Sequence, residues 1–146
     1  MAIQPAYRDA ERTNNSKRSA RIYKDLNLNF TRHPTTKQVS VLTDAAAVKR
    51  SVRNLVQIGQ YEKPFHPEIA SGVRDMLFEN MTPFTAHALQ TKITDVITNF
   101  EPRALLTSVD VLPRFDENQY EVVIEFYIQN APAELIDLSF TLERLR

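Results

Sequence analysis

Between Val48 and Phe100 the apolar residues of this chain recur at helical spacing, and after residue 103 they alternate one by one. That switch of period limits the fold more than any other feature. Tyr120, Val122, Ile124, Phe126 and Ile128 alternate with Gln119, Glu121, Glu125 and Gln129. Ile136, Leu138, Phe140 and Leu142 alternate with Asp137, Ser139, Thr141 and Glu143. An earlier run holds Val109 and Val111 and ends at Pro113; Asp116, Glu117 and Asn118 make a turn, and Pro132 separates the last two runs. Period two marks strands with one buried and one wet face. Three such strands in succession, joined by short connections, predict an antiparallel meander.

The helical half supplies the cover. Asp44 is placed to cap a helix reaching about Ile58, with Val48, Val52, Leu55 and Val56 on its stripe and Gly59 to end it. Lys49, Arg50 and Arg53 on its outer side read as a solvated basic face. The segment from Tyr61 to Glu68 is a loop by its two prolines. A second helix is predicted from Pro67, with Ile69, Val73, Met76 and Leu77. Thr82 and Pro83 open a third, striped by Leu89, Ile93, Val96, Ile97 and Phe100. Upstream, Leu26, Leu28 and Phe30 alternate with Asp25, Asn27 and Asn29, and Val39 to Leu42 form a return strand after a turn at His33 to Thr36. The class is α+β: three amphipathic helices packed on one face of a C-terminal β-meander, with a short N-terminal hairpin. Residues 1–21 are polar and without period and read as an extended or disordered basic arm; residues 22–146 form one domain, as expected for 146 residues.

Composition removes whole classes of chemistry. With no Cys, disulfides, thiol nucleophiles and cysteine metal sites are excluded, and two Gly are too few for a phosphate-binding loop or a dinucleotide fingerprint. No apolar run approaches the length of a membrane span, so a soluble protein is expected. The first 24 residues lack the apolar stretch of a secretory signal, and Asp9 and Glu11 argue against a transit peptide. His33, His66 and His87 have no second ligand at metal-binding spacing, so neither metal nor cofactor is expected. Glu62, Glu101 and Asp110 are carboxylates of the kind acid–base chemistry uses, but nothing in their spacing pairs an acid with a base. Net charge is zero, yet residues 1–60 hold 11 Lys or Arg against 4 Asp or Glu, while residues 61–146 hold 7 against 14. A basic half suits either nucleic acid or an acidic protein surface.

Two elements stand out as contact features. Pro102 follows the third helix directly, so Glu101 leaves the helical region and the helix stops. Glu101 and Arg103 then either pair with each other or project together beside a rigid proline as a docking tooth, for which the forked guanidinium is suited. The last strand, through Phe140, Leu142, Glu143 and Arg144, runs nearly to Arg146 with no element after it to cover its edge. Such an edge is a place where a partner adds a strand.

The succession Tyr23–Phe30 (YKDLNLNF), Val48–Leu55 (VKRSVRNL), Lys63–Pro67 (KPFHP), Leu77–Glu79 (LFE) and Glu101–Arg103 (EPR) resembles the baseplate wedge, or sheath initiator, family of contractile-tailed bacteriophages, which includes a type VI secretion baseplate component. The resemblance covers about residues 23–146. Its departures are a longer arm before residue 22 and extra residues between Gly59 and Glu62. It implies a structural role without turnover. Glu101, Pro102 and Arg103 would engage the helical core bundle of other wedge proteins. The sheet, at Phe140, Leu142, Glu143 and Arg144, would offer its edge to the first ring of tail sheath subunits. The arm would reach tail tube or hub proteins. The implied location is the virion's tail baseplate, assembled in the host cytoplasm, with no membrane or nucleic-acid partner. Some family members are labelled lysozyme-like, which makes peptidoglycan cleavage the alternative function.

Overall fold

The computed structural model describes residues 23–131 and 134–145. The expected arm at residues 1–21 lies outside them. In chain order the elements are β1 (Lys24–Leu26), β2 (Val41–Thr43), α1 (Asp44–Gln57), α2 (Val73–Met76), α3 (Pro83–Phe100), β3 (Ala104–Arg114), β4 (Gln119–Ile128) and β5 (Ile136–Glu143). β3, β4 and β5 form an antiparallel sheet in that order, so the expected meander is present and β3 and β5 are its two edges. The register is single-valued because one face is buried: Val122 faces Val111 on one side and Phe140 on the other, all pointing inward. A bulge between Leu106 and Ser108 leaves Thr107 unpaired in β3.

Tyr120, Val122, Ile124 and Phe126 of β4 are fully buried, and so are Val48, Val52 and Val56 of α1 and Leu89, Ile93 and Ile97 of α3, in one continuous core. α3 lies across the sheet with its widest contact on β3, and α1 packs chiefly against α3. The helical cover is therefore unequal: one long helix on the sheet, a second beside it and a fragment of a third. α3 begins as its sequence predicts, with the Thr82 hydroxyl accepting from the Thr85 N–H at 3.1 Å and Pro83 in the first turn.

Three expectations need correction. The second helix does not start at Pro67. Gly72 holds φ at +63°, in the left-handed region, and Ser71 donates to the Ile58 carbonyl while its hydroxyl accepts from the Val73 N–H. Residues 67–72 thus remain a loop pinned to the end of α1, and only Val73–Met76 coil. α1 itself ends as expected, at Gln57 with Ile58 as its extended C-cap and Gly59 following. At its other end Thr43, not Asp44, holds the cap position, and the Asp44 carboxylate accepts from the Tyr23 N–H at 3.3 Å.

The hairpin exists, with Leu26 opposite Val41 and an isolated bridge from Arg32 to Val39, but its faces are reversed. Leu26 and Val41 are 61% and 52% exposed, and Leu28 and Phe30 are exposed too, while Asp25 and Asn27 turn toward the body. The reason is polar. Asp25 joins an ion pair described below, and Asn27 donates to the hydroxyls of Thr31 and Ser40.

The core allows a paired prediction. Leu89→Ala should lower the free energy of unfolding by about 3 kcal/mol, because Leu89 is fully buried at the centre of α3. Tyr120→Phe should leave stability unchanged or raise it, since the buried Tyr120 hydroxyl has no hydrogen-bond partner among the described residues. Urea unfolding of both variants checks this; a loss above about 1 kcal/mol for Tyr120→Phe would mean that the hydroxyl is bonded.

Candidate partner-docking site

Glu101 sits where α3 ends. Its N–H still donates to the Ile97 carbonyl at 2.9 Å, but its backbone has left the helical region, as the following proline requires. The side chain turns inward and is only 4% exposed. A carboxylate in such a place must be paired or protonated. Arg103 supplies a two-pronged partner, Nε to Oε1 at 2.6 Å and Nη2 to Oε2 at 2.9 Å, and the Ser51 hydroxyl of α1 donates to Oε2. Nη1 of Arg103 reaches Asp25 Oδ2 at 3.1 Å, and the guanidinium lies 5.5 Å from the centre of the Tyr23 ring. The Tyr23 hydroxyl donates to the Gln129 carbonyl at 3.0 Å, and the Gln129 N–H donates to the Arg103 carbonyl at 2.9 Å. Strand β1, the residue before it, helix α1, the end of α3, the start of β3 and the residue after β4 are thereby gathered at one ion pair.

Burial pushes the Glu101 carboxyl upward, but the hydrogen bonds from Arg103 and Ser51 and the charge of Arg103 outweigh it, leaving the group below its ordinary value. The hydrogen bond to Glu101 likewise holds the Arg103 proton more firmly than usual, against the desolvation of the guanidinium. Glu101 is therefore ionised, the opposite of what a general acid needs. Of the two readings of the tripeptide, mutual pairing is what the structure contains. Pro102 is the exposed member of the three, with Glu101 buried and Arg103 between.

The other expected residues divide. Phe140 and Leu142 face the core, and Glu143 is exposed on the opposite face of β5. Arg144 is tied down, its N–H donating to the Asn118 carbonyl and its guanidinium to the Glu79 carbonyl at 3.0 Å and Asn80 Oδ1 at 3.1 Å. No described strand pairs with the outer side of β5. The two sheet edges differ: β3 carries the bulge at Thr107 and Pro113, which lacks an N–H, whereas β5 has neither between Ile136 and Glu143.

Glu62, Glu101 and Asp110 are not brought together as a catalytic pair. Glu62 accepts from the Gly59 N–H in an exposed loop, Asp110 is exposed on β3, and Glu101 is buried. The histidines are likewise scattered, and no group of three metal-binding side chains exists among the described residues. On the basic face of α1, Arg50 donates to Asn29 Oδ1 at 2.8 Å and so belongs partly to the hairpin contact.

Ser51, Asp25, Tyr23 and Gln129 were not anticipated as members of this site. Ser51 had a signal: it lies three residues after Val48, inside the apolar stripe, and a lone hydroxyl there needs a buried partner. Asp25 had a misleading one, since alternation with Leu26 placed it on the wet face.

The family described as "Baseplate wedge protein gp25" matches residues 43–133, which include the whole of α1, α2, α3, β3 and β4. The chain belongs to the gp25 baseplate wedge family. The baseplate wedge protein gp25 of Enterobacteria phage T4 is 31% identical to it over 106 residues, 73% of this chain and 80% of that protein. Among solved structures, a protein of Geobacter sulfurreducens described as a tail lysozyme superposes with a TM-score of 0.66 at 21% identity, covering 74% of this chain and 98% of that one. A chain of the anti-feeding prophage baseplate gives 0.58 at 22% identity, covering 85% and 87% respectively. A chain of the contracted pyocin R2 baseplate gives 0.51 at 16%, covering 83% and 98%. These likenesses show a shared fold. As a gp25 family member, the chain is a structural wedge component of a contractile tail, and its location is the tail baseplate.

The ion pair makes a pH-dependent prediction for this family member. A carboxyl whose folded value is depressed stabilises the fold above its unfolded value, and that contribution disappears as pH falls through the folded value. Glu101→Gln should thus cost about 2 kcal/mol at neutral pH. The gap from the parent chain should stay constant at higher pH and narrow as pH falls below the ordinary value of 4.5. Thermal unfolding of both proteins across that range measures it; a gap that widens in acid contradicts the assignment.

Proposed function

We propose that the chain couples two assemblies: it docks on other wedge proteins through the surface around Glu101, Pro102 and Arg103, and it starts the sheath by lending the edge of β5 to a strand from a sheath subunit. The observation that carries the second half is the asymmetry of the sheet, in which β3 is blunted by a bulge and a proline while β5 is not. Strand addition makes many main-chain hydrogen bonds and sets a register without a side-chain pocket.

The first half draws on position. Glu101 is buried, so its role is to fix Arg103 and the turn at Pro102 rather than to touch a partner. Close by, the reversed hairpin exposes Leu26, Leu28 and Val41, and Leu28 borders a groove of about 410 Å³ floored by Ser51, Asn54 and Leu55 of α1. Apolar surface of this kind beside a rigid turn suits a helix bundle of wedge proteins.

Peptidoglycan cleavage is the second reading, prompted by the tail lysozyme description of one structural neighbour. It requires a carboxyl held protonated, and the buried Glu101 is shifted the other way. Purified chain should therefore leave peptidoglycan turbidity unchanged.

Two measurements test the coupling. Leu26→Ser combined with Val41→Ser should keep the thermal stability of the chain but weaken its co-purification with wedge proteins of the same tail at least about tenfold, as should Glu101→Ala combined with Arg103→Ala. Undiminished binding by both variants overturns the docking site. In assembled baseplates, amide exchange over residues 134–145 should slow when sheath is added; unchanged exchange there overturns strand addition at β5.

A further inference from the structure

The charged residues on the outward face of the sheet are almost all acidic. That face presents Asp110 from β3, Glu121 and Glu125 from β4, and Asp137 and Glu143 from β5. Among the described residues the single cation on this face is Arg114, and it is paired with Glu121, with Nη2 to Oε2 at 2.5 Å. Within the ladder Glu125 stands directly opposite Asp137, a like-charge pair that destabilises an antiparallel sheet. Neither Asp137 nor Glu143 makes an ion pair among the described residues. Both border the unpaired side of β5, six positions apart and so roughly 20 Å along the strand. Ser139 and Thr141 lie between them on the same face, and Phe140 and Leu142 point to the core.

The arrangement also decides against one occupant. If two copies of this chain paired through β5 in antiparallel fashion about Phe140, Asp137 of each would face Glu143 of the other. Two more like-charge contacts would then join the Glu125–Asp137 pair already present. Self-pairing in that register is thus disfavoured by the edge's own charges.

We infer that the strand accepted by β5 comes from a different chain and carries Lys or Arg on its solvent side, at positions flanking Asp137 and Glu143, with apolar residues alternating on its other side to extend the core beyond Phe140 and Leu142. Cations there relieve the Glu125–Asp137 repulsion, so the partner adds charge compensation that the isolated sheet lacks. The inference rests on strand addition at β5 and specifies the chemistry of what is added.

Three ten-residue peptides test it, titrated into the isotopically labelled full chain to millimolar concentration while the backbone amides of β5 are followed by NMR. The first alternates valine with polar residues and bears lysines six positions apart. The second replaces those lysines by glutamates, and the third is the lysine peptide with alternate backbone nitrogens methylated. The lysine peptide should bind about tenfold more tightly than the glutamate peptide. That advantage should shrink with added salt and vanish when Asp137→Asn and Glu143→Gln are combined. Methylation should abolish binding. Equal binding of the lysine and glutamate peptides, with methylation still abolishing it, overturns the charge requirement and leaves strand addition standing. Undiminished binding of the methylated peptide overturns strand addition itself, and absence of binding by every peptide overturns both.

Discussion

A carboxylate cannot be buried alone, and the placement of Glu101 at the end of α3 therefore organises this molecule. Its bidentate bond with Arg103 forces the chain to double back at Pro102, which aims β3 along the underside of the helix it has just left. Arg103 must then satisfy its remaining nitrogen, and it does so by drawing in Asp25 and with it the hairpin. Ser51 anchors the same carboxylate to α1. Buried pairs often contribute little net stability compared with apolar substitutes, but breaking one leaves an uncompensated charge. Here the pair specifies geometry: helix, sheet and hairpin share a vertex that tolerates few alternatives.

That vertex explains why the hairpin shows its apolar side to solvent. Packing alone would bury Leu26, Leu28 and Val41, since each is worth about 1.5 to 3 kcal/mol when fully removed from water. Asp25 overrides this because it is committed to Arg103, and the two faces of a strand cannot both turn inward. A soluble monomer gains nothing from such an apolar row. Under the docking proposed above, other wedge proteins would cover it, a setting in keeping with membership of the gp25 baseplate wedge family.

How much of this was readable from the sequence follows from how local each cause is. The meander, the start of α3 at Thr82 and Pro83 and the stop at Pro102 depend on period and on the backbone preferences of a few adjacent residues, and they were legible. The loop at residues 67–72 was not, because the left-handed Gly72 and the reach of Ser71 to Ile58 defeat a stripe that Ile69 and Val73 appear to continue. The reversed hairpin was invisible for a different reason: it depends on a partner 78 residues away. The tripeptide was singled out as a contact feature, but the inward turn of Glu101 could not be read from its neighbours, since the hydroxyl that shares its carboxylate with Arg103 comes from Ser51 on α1, 50 residues away.

The vertex and the free edge lie on a continuous mechanical path. Arg103 immediately precedes β3, and Gln129, bonded to both Arg103 and Tyr23, follows the end of β4. β4 is in register with β3 on one side and β5 on the other along nearly its whole length. Any partner that fixes the turn at Pro102 therefore fixes the orientation of β5 through two ladders, each with a buried face that forbids slippage by one residue. Part of the charge segregation along the sequence has a spatial counterpart: among the described residues Lys24, Arg32, Lys37, Lys49, Arg50 and Arg53 lie on the hairpin and α1, whereas Asp110, Glu121, Glu125, Asp137 and Glu143 share the open face of the sheet. Under the coupling proposed above, the two ends should not attract the same partner, and opposite electrostatic character would separate the partners by the sign of the field each meets on approach.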